Sequence, residues 1–206
     1  MKISLISYSG CGKTTLLNVL AHREVNAASF KQTRLVNGKE IDLQDFQRIS
    51  SYVEQEDALM GALTVKETLH FASQLSLPWY VPCRIFGVVQ EVFFCNSSHR
   101  TVSKLERIQR IETLLTSFGL QKQSNVLIGT PIRKGISGGQ KRRVTVASQL
   151  ITSPKIIFLD EPTSGLDSQA AYEVMSFVKD IAVKYKVRSL AFRNPSVAKL
   201  RCRFWL

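Results

Sequence analysis

The stretch ISLISYSGCGKTTLLNVL, residues 3–20, decides the fold, because it leads from an apolar run through a glycine-rich loop into a helical pattern. The run Lys2–Ile6 predicts a buried strand, and Thr14–His22 predicts a helix whose leucines share one face. The loop Ser7–Thr14 between them nearly matches the pattern GxxxxGK[ST]. Such a loop directs successive backbone N–H groups at phosphate oxygens, and the following helix adds the positive end of its dipole. The stretch therefore predicts an α/β fold with a phosphate-binding loop.

The residue types within the loop fit contact with the phosphates of a nucleotide. Lys13 would reach the β- and γ-phosphates, and the Thr14 hydroxyl would bind Mg²⁺. Gly10 and Gly12 would let the backbone approach closely, whereas Ser7 stands where the pattern has a glycine. The alternative is a glycine-rich loop that contains a lysine by chance. The candidate nucleotide-binding residues in this loop are Ser9, Gly10, Cys11, Gly12, Lys13, Thr14 and Thr15.

A second apolar run, Ile156–Leu159, ends in two carboxylates and predicts a central parallel strand. Open α/β sheets bind ligands at the carboxyl ends of their strands, so these carboxylates should lie beside the phosphate loop. Asp160 would then hold the Mg²⁺ shell, and Glu161 would act as general base toward the attacking water. The alternative is a strand that ends in an acidic turn without a catalytic role.

A third motif, SGGQ at residues 137–140, opens a predicted helix whose first turns carry the basic run 141–143. The N-terminus of a helix binds anions through its exposed N–H groups. The candidate nucleotide ligands here are Ser137, Gly138, Gly139 and Gln140. Hydrophobic spacing elsewhere predicts a hairpin at Arg34–Ile41 and helices at Thr64–Leu75, Glu106–Leu120, Gln140–Thr152 and Ser168–Lys184.

The combination of SGGQ, a basic helix and then LDEPTSGLD at residues 159–167 is the hallmark of ATP-binding cassette proteins, and the chain resembles that family. The segments YVEQEDAL, LTVKETLHFASQLSLP and GTPIRKGISGGQKRR are similar to its G subfamily of half-transporters, especially the fungal members. The resemblance covers about residues 1–78 and 102–187. It implies a P-loop NTPase with a RecA-like lobe, about residues 1–75 and 150–195, and an inserted helical signature subdomain, about residues 76–149.

The resemblance also implies roles for single residues. Gln55 matches the glutamine that contacts Mg²⁺ and the attacking water, and Ser164–Asp167 matches a loop that crosses a dimer interface. Two cassettes dimerise head to tail in this family, so Ser137 and Gly139 would bind the γ-phosphate of the partner's ATP. The implied catalytic residues are Glu161, Gln55 and Lys13, and the implied metal ligands are Thr14, Gln55 and Asp160.

The resemblance implies a transport cycle as well. Hydrolysis of MgATP would power export of a lipid-like or drug-like substrate through the transmembrane domain of a half-transporter, which is absent from this chain. The sequence agrees with a separate transmembrane domain, because no apolar segment of this chain reaches the ~18 residues that a membrane span needs. We therefore expect membrane association on the cytoplasmic face through a transmembrane partner.

Three features depart from the family pattern. Only six residues precede the phosphate loop, without the earlier strands and the adenine-stacking aromatic residue, so we expect weaker base binding. Residues 79–101 interrupt the match and are either a translated intron or a genuine surface insertion. In the atypical tail 188–206, Arg193 stands where the family has a switch histidine. Arginine cannot accept a hydrogen bond, so the alternative function is a truncated, hydrolysis-impaired cassette that binds only nucleotide or a partner.

Length and charge limit the remaining function classes. The 206 residues, 44% of them hydrophobic, suit a single domain with a sizeable core. The net charge of +12 derives in part from the basic tail, and no basic stripe is interleaved with aromatic residues. We therefore expect no nucleic-acid partner, and a soluble cassette ATPase acting on nucleic acid or ribosomes is the weaker alternative.

Overall fold

The computed structural model describes residues 3–6, 12–23, 35–36, 38–77, 84–85, 88–89, 102–130, 132–184 and 187–193 of the chain. In chain order they form β1 (Ile3–Ile6), α1 (Lys13–Leu20), β2 (Leu35–Val36), β3 (Lys39–Glu40), α2 (Leu43–Ile49), β4 (Ser50–Val53), α3 (Val65–Ser76), β5 (Arg84–Ile85), β6 (Val88–Val89), α4 (Lys104–Ser117), a 3₁₀ turn (Gln121–Gln123), α5 (Gly138–Leu150), β7 (Ile156–Asp160), α6 (Ser168–Lys184) and β8 (Arg188–Arg193).

A four-stranded parallel sheet of order β1-β8-β7-β4 lies at the centre. The last described strand, β8, therefore sits between the first strand and β7. Side chains of β7 alternate between two apolar clusters, one on each face of the sheet. Helices cover both faces, as parallel sheets require.

The larger cluster joins one face of the sheet to α3, α4, α5 and α6. Ile157 and Leu159 of β7 belong to it, together with Val53 of β4. Fully buried residues from the helices in this cluster include Leu69, Ile111 and Val144. This cluster holds the helix that begins with the SGGQ motif against the strand that carries Asp160.

The smaller cluster lies on the opposite face, beneath α1 and α2. Leu17 of α1, Phe46 of α2 and Phe158 of β7 form it, with Tyr52 packed alongside. The rings of Phe46 and Phe158 lie 6.4 Å apart, and those of Tyr52 and Phe158 lie 6.5 Å apart. This packing fixes α1, the helix that follows the phosphate loop, over the centre of the sheet.

The predicted elements are present, with ends shifted by up to three residues. The hairpin predicted around Gly38 is the antiparallel pair β2–β3, and Gly38 has a φ of +78°. The helix predicted at Thr64–Leu75 is α3, which Thr64 caps: its hydroxyl accepts from the Glu67 backbone N–H, and the Glu67 carboxylate accepts from that of Thr64. The hydrogen bonds that the Glu67 carboxylate accepts, first from the Thr64 backbone N–H and then from the Thr64 hydroxyl, lower the pKa of Glu67. The strand at residue 156 extends through Asp160.

Six elements had no clear sequence signal: α2, β4, β5, β6, the 3₁₀ turn and β8. The helix α2 has seven residues and a single buried side chain, Phe46, so it shows no apolar stripe. The strand β4 is half polar and, among the described strands, pairs with β7 alone. The strand β8 falls in the segment that departs from the family pattern. Over the described part of the chain, no helix has the length and apolar character that crossing a membrane requires.

Candidate nucleotide site

The carboxyl ends of the four central strands meet along one edge of the sheet. Ile6 pairs with Arg193, Phe192 pairs with Asp160, and Leu159 pairs with Val53. The chain continues from these ends into the phosphate loop, the segment with Gln55 and the turn with Glu161. The sheet therefore brings to one edge the ends of β1, β4 and β7, which lead into these three segments.

Lys13 begins α1 and projects into this edge. Gly12 before it has a left-handed backbone, with a φ of +80°, and its carbonyl accepts the first hydrogen bond of the helix, from Leu16. The Lys13 amino group lies 3.3 Å from Glu161 Oε1, and the two side chains are 6% and 15% exposed. A buried cation is thus held beside the carboxylate at the end of β7.

Glu161 has a strained backbone with a φ of +40°, in the left-handed region that non-glycine residues seldom adopt. Its carbonyl accepts a hydrogen bond from the Ser164 N–H at 2.9 Å, which closes a tight turn after the strand. Strain of this kind persists where surrounding structure enforces it, and it clusters at functional sites. The turn directs the Glu161 side chain toward Lys13.

Asp160 is 2% exposed. Tyr52 donates a hydrogen bond to its Oδ2 at 3.3 Å, whereas its Oδ1 is buried and accepts no hydrogen bond from the residues that the structure describes. Burial, and then the charge of Asp160, raise the pKa of Tyr52 well above its ordinary value, which keeps the phenol protonated as a donor. A buried carboxylate oxygen with a free lone pair fits a divalent cation.

Some of the other predicted ligands are exposed, and others lie outside the described residues. Thr14 and Thr15 are exposed on the first turn of α1, and Gln55 is exposed just after β4. Ser9, Gly10 and Cys11 lie outside the described residues. Arg193, at the position of the family's histidine, ends β8 beside Ile6, so its backbone belongs to this edge.

Ser137 caps the helix α5 and leaves the N-terminus of that helix exposed. Its hydroxyl accepts from the Gln140 N–H at 3.3 Å, and its own N–H donates to the Gln140 side chain at 2.9 Å. Ser137 and Gly138 are exposed, whereas Gly139 is buried. A Cβ on Gly139 would lie 2.8 Å from the Cβ of Ala170, so this glycine is needed for the close packing of α5 on α6.

Arg142 is a site residue that the sequence analysis treated only as part of a basic run. It is 2% exposed and makes five hydrogen bonds, to carbonyls of Glu54, Gln55, Asp160 and Pro162 and to the Asp57 carboxylate. Its spacing gives a signal that could have found it, because Gly139, Arg142 and Val146 lie on one buried face of α5.

Comparison with known proteins gives one family. Residues 2–164 match the family model described as "ABC transporter". The chain is 40% identical over 182 residues to "ABC transporter G family member 1" of Dictyostelium discoideum, which covers 87% of this chain and 20% of that protein. It is 36% identical over 194 residues to "ABC transporter G family member 17" of Arabidopsis thaliana, covering 94% of this chain and 26% of that protein.

"ABC transporter G family member STR" of Medicago truncatula is 35% identical over 194 residues, covering 94% of this chain and 21% of that protein. The chain thus spans 20% to 26% of the length of these relatives.

Proposed function

The chain belongs to the ABC transporter family, and from that premise we propose that its sheet edge is the site at which MgATP hydrolysis powers a half-transporter of the G type. As a member of this family, the chain has a P-loop NTPase fold, binds nucleotide and is an ATPase domain.

The observation that carries the proposal is the buried Lys13 amino group 3.3 Å from Glu161. Lys13 is positioned to stabilise negative charge on the β- and γ-phosphates, and Glu161 to accept a proton from the water that attacks the γ-phosphate. The phosphate loop, with Ser9, Gly10, Cys11 and Gly12, would surround the phosphates with backbone N–H groups.

Asp160, with Thr14 and Gln55, is proposed to hold Mg²⁺. The buried Oδ1 of Asp160, which accepts no hydrogen bond from the described residues, supports this assignment. Bound there, Mg²⁺ would neutralise charge on the phosphates. Asp160 itself would be kept in orientation by the hydroxyl of Tyr52.

The helix α5 is proposed to act on a second nucleotide. Its exposed N-terminus, with Ser137 and Gly138, is suited to an anion, and in a head-to-tail dimer it would contact the partner's ATP together with Gly139 and Gln140. We assign it to a helical signature subdomain, about residues 76–149, inserted in a RecA-like lobe of about residues 1–75 and 150–195.

Transport follows as a proposal from the relatives, which are named as transporters and are several times longer than this chain. ATP would close the dimer and hydrolysis would reopen it. This chain would lie on the cytoplasmic face of a membrane, attached through a transmembrane domain. That domain would convert the motion into export of a lipid-like or drug-like substrate.

A second candidate is a cassette that binds nucleotide but hydrolyses it slowly. Arg193 supports it, because this residue ends β8 at the sheet edge and its guanidinium cannot accept a proton. The two candidates share the nucleotide site and differ only in turnover.

The test is release of phosphate from ATP by the full chain, with and without Mg²⁺. We expect Mg²⁺-dependent turnover that Glu161→Gln abolishes, while Asp45→Asn, a surface carboxylate paired with Arg48 on α2, leaves it unchanged. Nucleotide binding without turnover would select the second candidate. A chain that binds no ATP would refute both.

A further inference from the structure

Arg142 donates hydrogen bonds on both sides of Glu161. Its Nη2 donates to the Asp160 carbonyl at 3.0 Å, and its Nε donates to the Pro162 carbonyl at 3.2 Å. These two carbonyls flank Glu161 in the chain, and Glu161 is the residue with the strained φ of +40°. A planar guanidinium can span two such carbonyls, because its N–H donors form a rigid fork.

The remaining nitrogen of Arg142 holds the segment after β4. Its Nη1 donates to the Glu54 carbonyl at 2.7 Å, to the Gln55 carbonyl at 3.2 Å and to the Asp57 carboxylate at 3.0 Å. One side chain of α5 thus contacts the backbone of both segments that carry proposed water-positioning residues, Gln55 and Glu161.

The pattern of acceptors argues against a role in charge pairing alone. Four of the five acceptors are main-chain carbonyls, and the one carboxylate, of Asp57, is 24% exposed. A buried arginine that served only to neutralise charge would not need to donate to carbonyls of two separate segments. The hydrogen bonds of Arg142 instead fix the orientation of two backbone segments relative to α5.

We infer that Arg142 is a positioning residue for ATP hydrolysis: it holds the turn of Glu161 and the segment of Gln55 in register with the helix that begins at Ser137. The inference rests on the proposed function. It assigns to Arg142 an effect on turnover rather than on nucleotide affinity, because the acceptors described above belong to the turn of Glu161 and to the segment of Gln55.

The test compares Arg142→Gln and Arg142→Lys with Arg143→Gln in the full chain. Arg143 is the matched control, because it follows on the same helix and is also largely buried, but donates to the Phe118 carbonyl and the Glu173 carboxylate rather than to the segments of Gln55 and Glu161. For Arg142→Gln we expect kcat to fall on the order of 10²-fold while KM for ATP stays within about threefold of its original value.

Arg142→Lys should recover part of kcat, since a lysine can reach one turn but cannot span both; this milder variant decides the question if Arg142→Gln does not fold. Equal losses of kcat in the Arg142 and Arg143 variants, or an unchanged kcat in the Arg142 variants, would overturn the inference.

Hydrogen exchange of peptides covering residues 160–166 separates this inference from the proposed function. A chain that binds ATP without turnover would select the second candidate function, and exchange would then test whether Arg142 holds the turn of Glu161. Faster exchange in the Arg142 variants than in Arg143→Gln supports it, and equal exchange contradicts it.

Discussion

The Lys13 amino group and the Glu161 carboxylate form a buried ion pair with 3.3 Å between Nζ and Oε1. A γ-phosphate that approaches Lys13 therefore also approaches the negative charge of Glu161. The ion pair stabilises the sheet edge, and the same carboxylate opposes the binding of a multiply charged anion.

Replacing Glu161 by glutamine should accordingly tighten ATP binding while it stops hydrolysis. Loss of one negative charge near the γ-phosphate should lower the Kd for ATP roughly tenfold, or about 1.4 kcal/mol. Titration with a fluorescent ATP analogue measures this change, and Asp45→Asn is the control for removal of a carboxylate elsewhere. A weaker affinity in Glu161→Gln would contradict this reading of the ion pair.

Tyr52→Phe should weaken the response to Mg²⁺. The variant keeps the ring that packs against Phe158 but removes the hydrogen bond to Asp160 Oδ2. Loss of a hydrogen bond that orients a metal ligand lowers metal affinity, so the Mg²⁺ concentration for half-maximal turnover should rise by up to about tenfold. Ser51→Ala is the matched variant on the same strand, because it loses only a hydrogen bond to Gln149. If both variants respond alike, the tyrosine has no specific effect on the metal.

Gly139→Ala should destabilise the fold, whereas Gly138→Ala should not. The added methyl group at residue 139 would lie 2.8 Å from the Ala170 Cβ, and at residue 138 it would meet Leu166 at an ordinary 3.7 Å. We expect a loss of about 1–3 kcal/mol in the free energy of unfolding for Gly139→Ala, and no loss for Gly138→Ala, measured by urea denaturation. Adding Ala170→Gly should restore most of the loss. Without such restoration, the clash is not the cause.

Arg193→His should raise turnover. The backbone of residue 193 pairs with Ile6, directly before the phosphate loop, and a neutral histidine, unlike arginine, can accept a proton. We expect kcat to increase by at least about tenfold, while Arg188→His, at the opposite end of the same strand, leaves it unchanged. An unchanged kcat in Arg193→His would mean that the arginine does not limit hydrolysis.

The sequence predicted the elements whose apolar spacing is regular. The helix α6 has the predicted bounds, Ser168–Lys184, because its buried residues Val174, Val178 and Ile181 recur at helical spacing. The strand before Asp160 was found because both of its faces are buried. The rule that open α/β sheets bind ligands at the carboxyl ends of their strands predicted Glu161 beside the phosphate loop. The structure has Lys13 Nζ 3.3 Å from Glu161 Oε1, and their roles in one site stay a prediction.

Contacts that depend on main-chain acceptors could not be predicted. The spacing of Arg142 from Gly139 and Val146 could indicate its burial, but not the carbonyls of two distant segments to which it donates. The left-handed backbone of Glu161 left no trace either, since a glutamate carries no preference for it. Tyr52 likewise resembles an ordinary strand residue in the sequence, and its hydrogen bond to Asp160 is evident only from the structure.

The sheet order also has a consequence for synthesis. Of the described strands, β1 pairs with β8, which lies almost at the far end of the described chain. During translation β1 and β8 can therefore pair only after nearly all of these residues have left the ribosome. Such distant pairing slows folding, and an apolar strand kept waiting can pair with other chains. Nascent chains that stop before Arg188 should thus be held by chaperones or aggregate, even though all three sequence motifs have already been made.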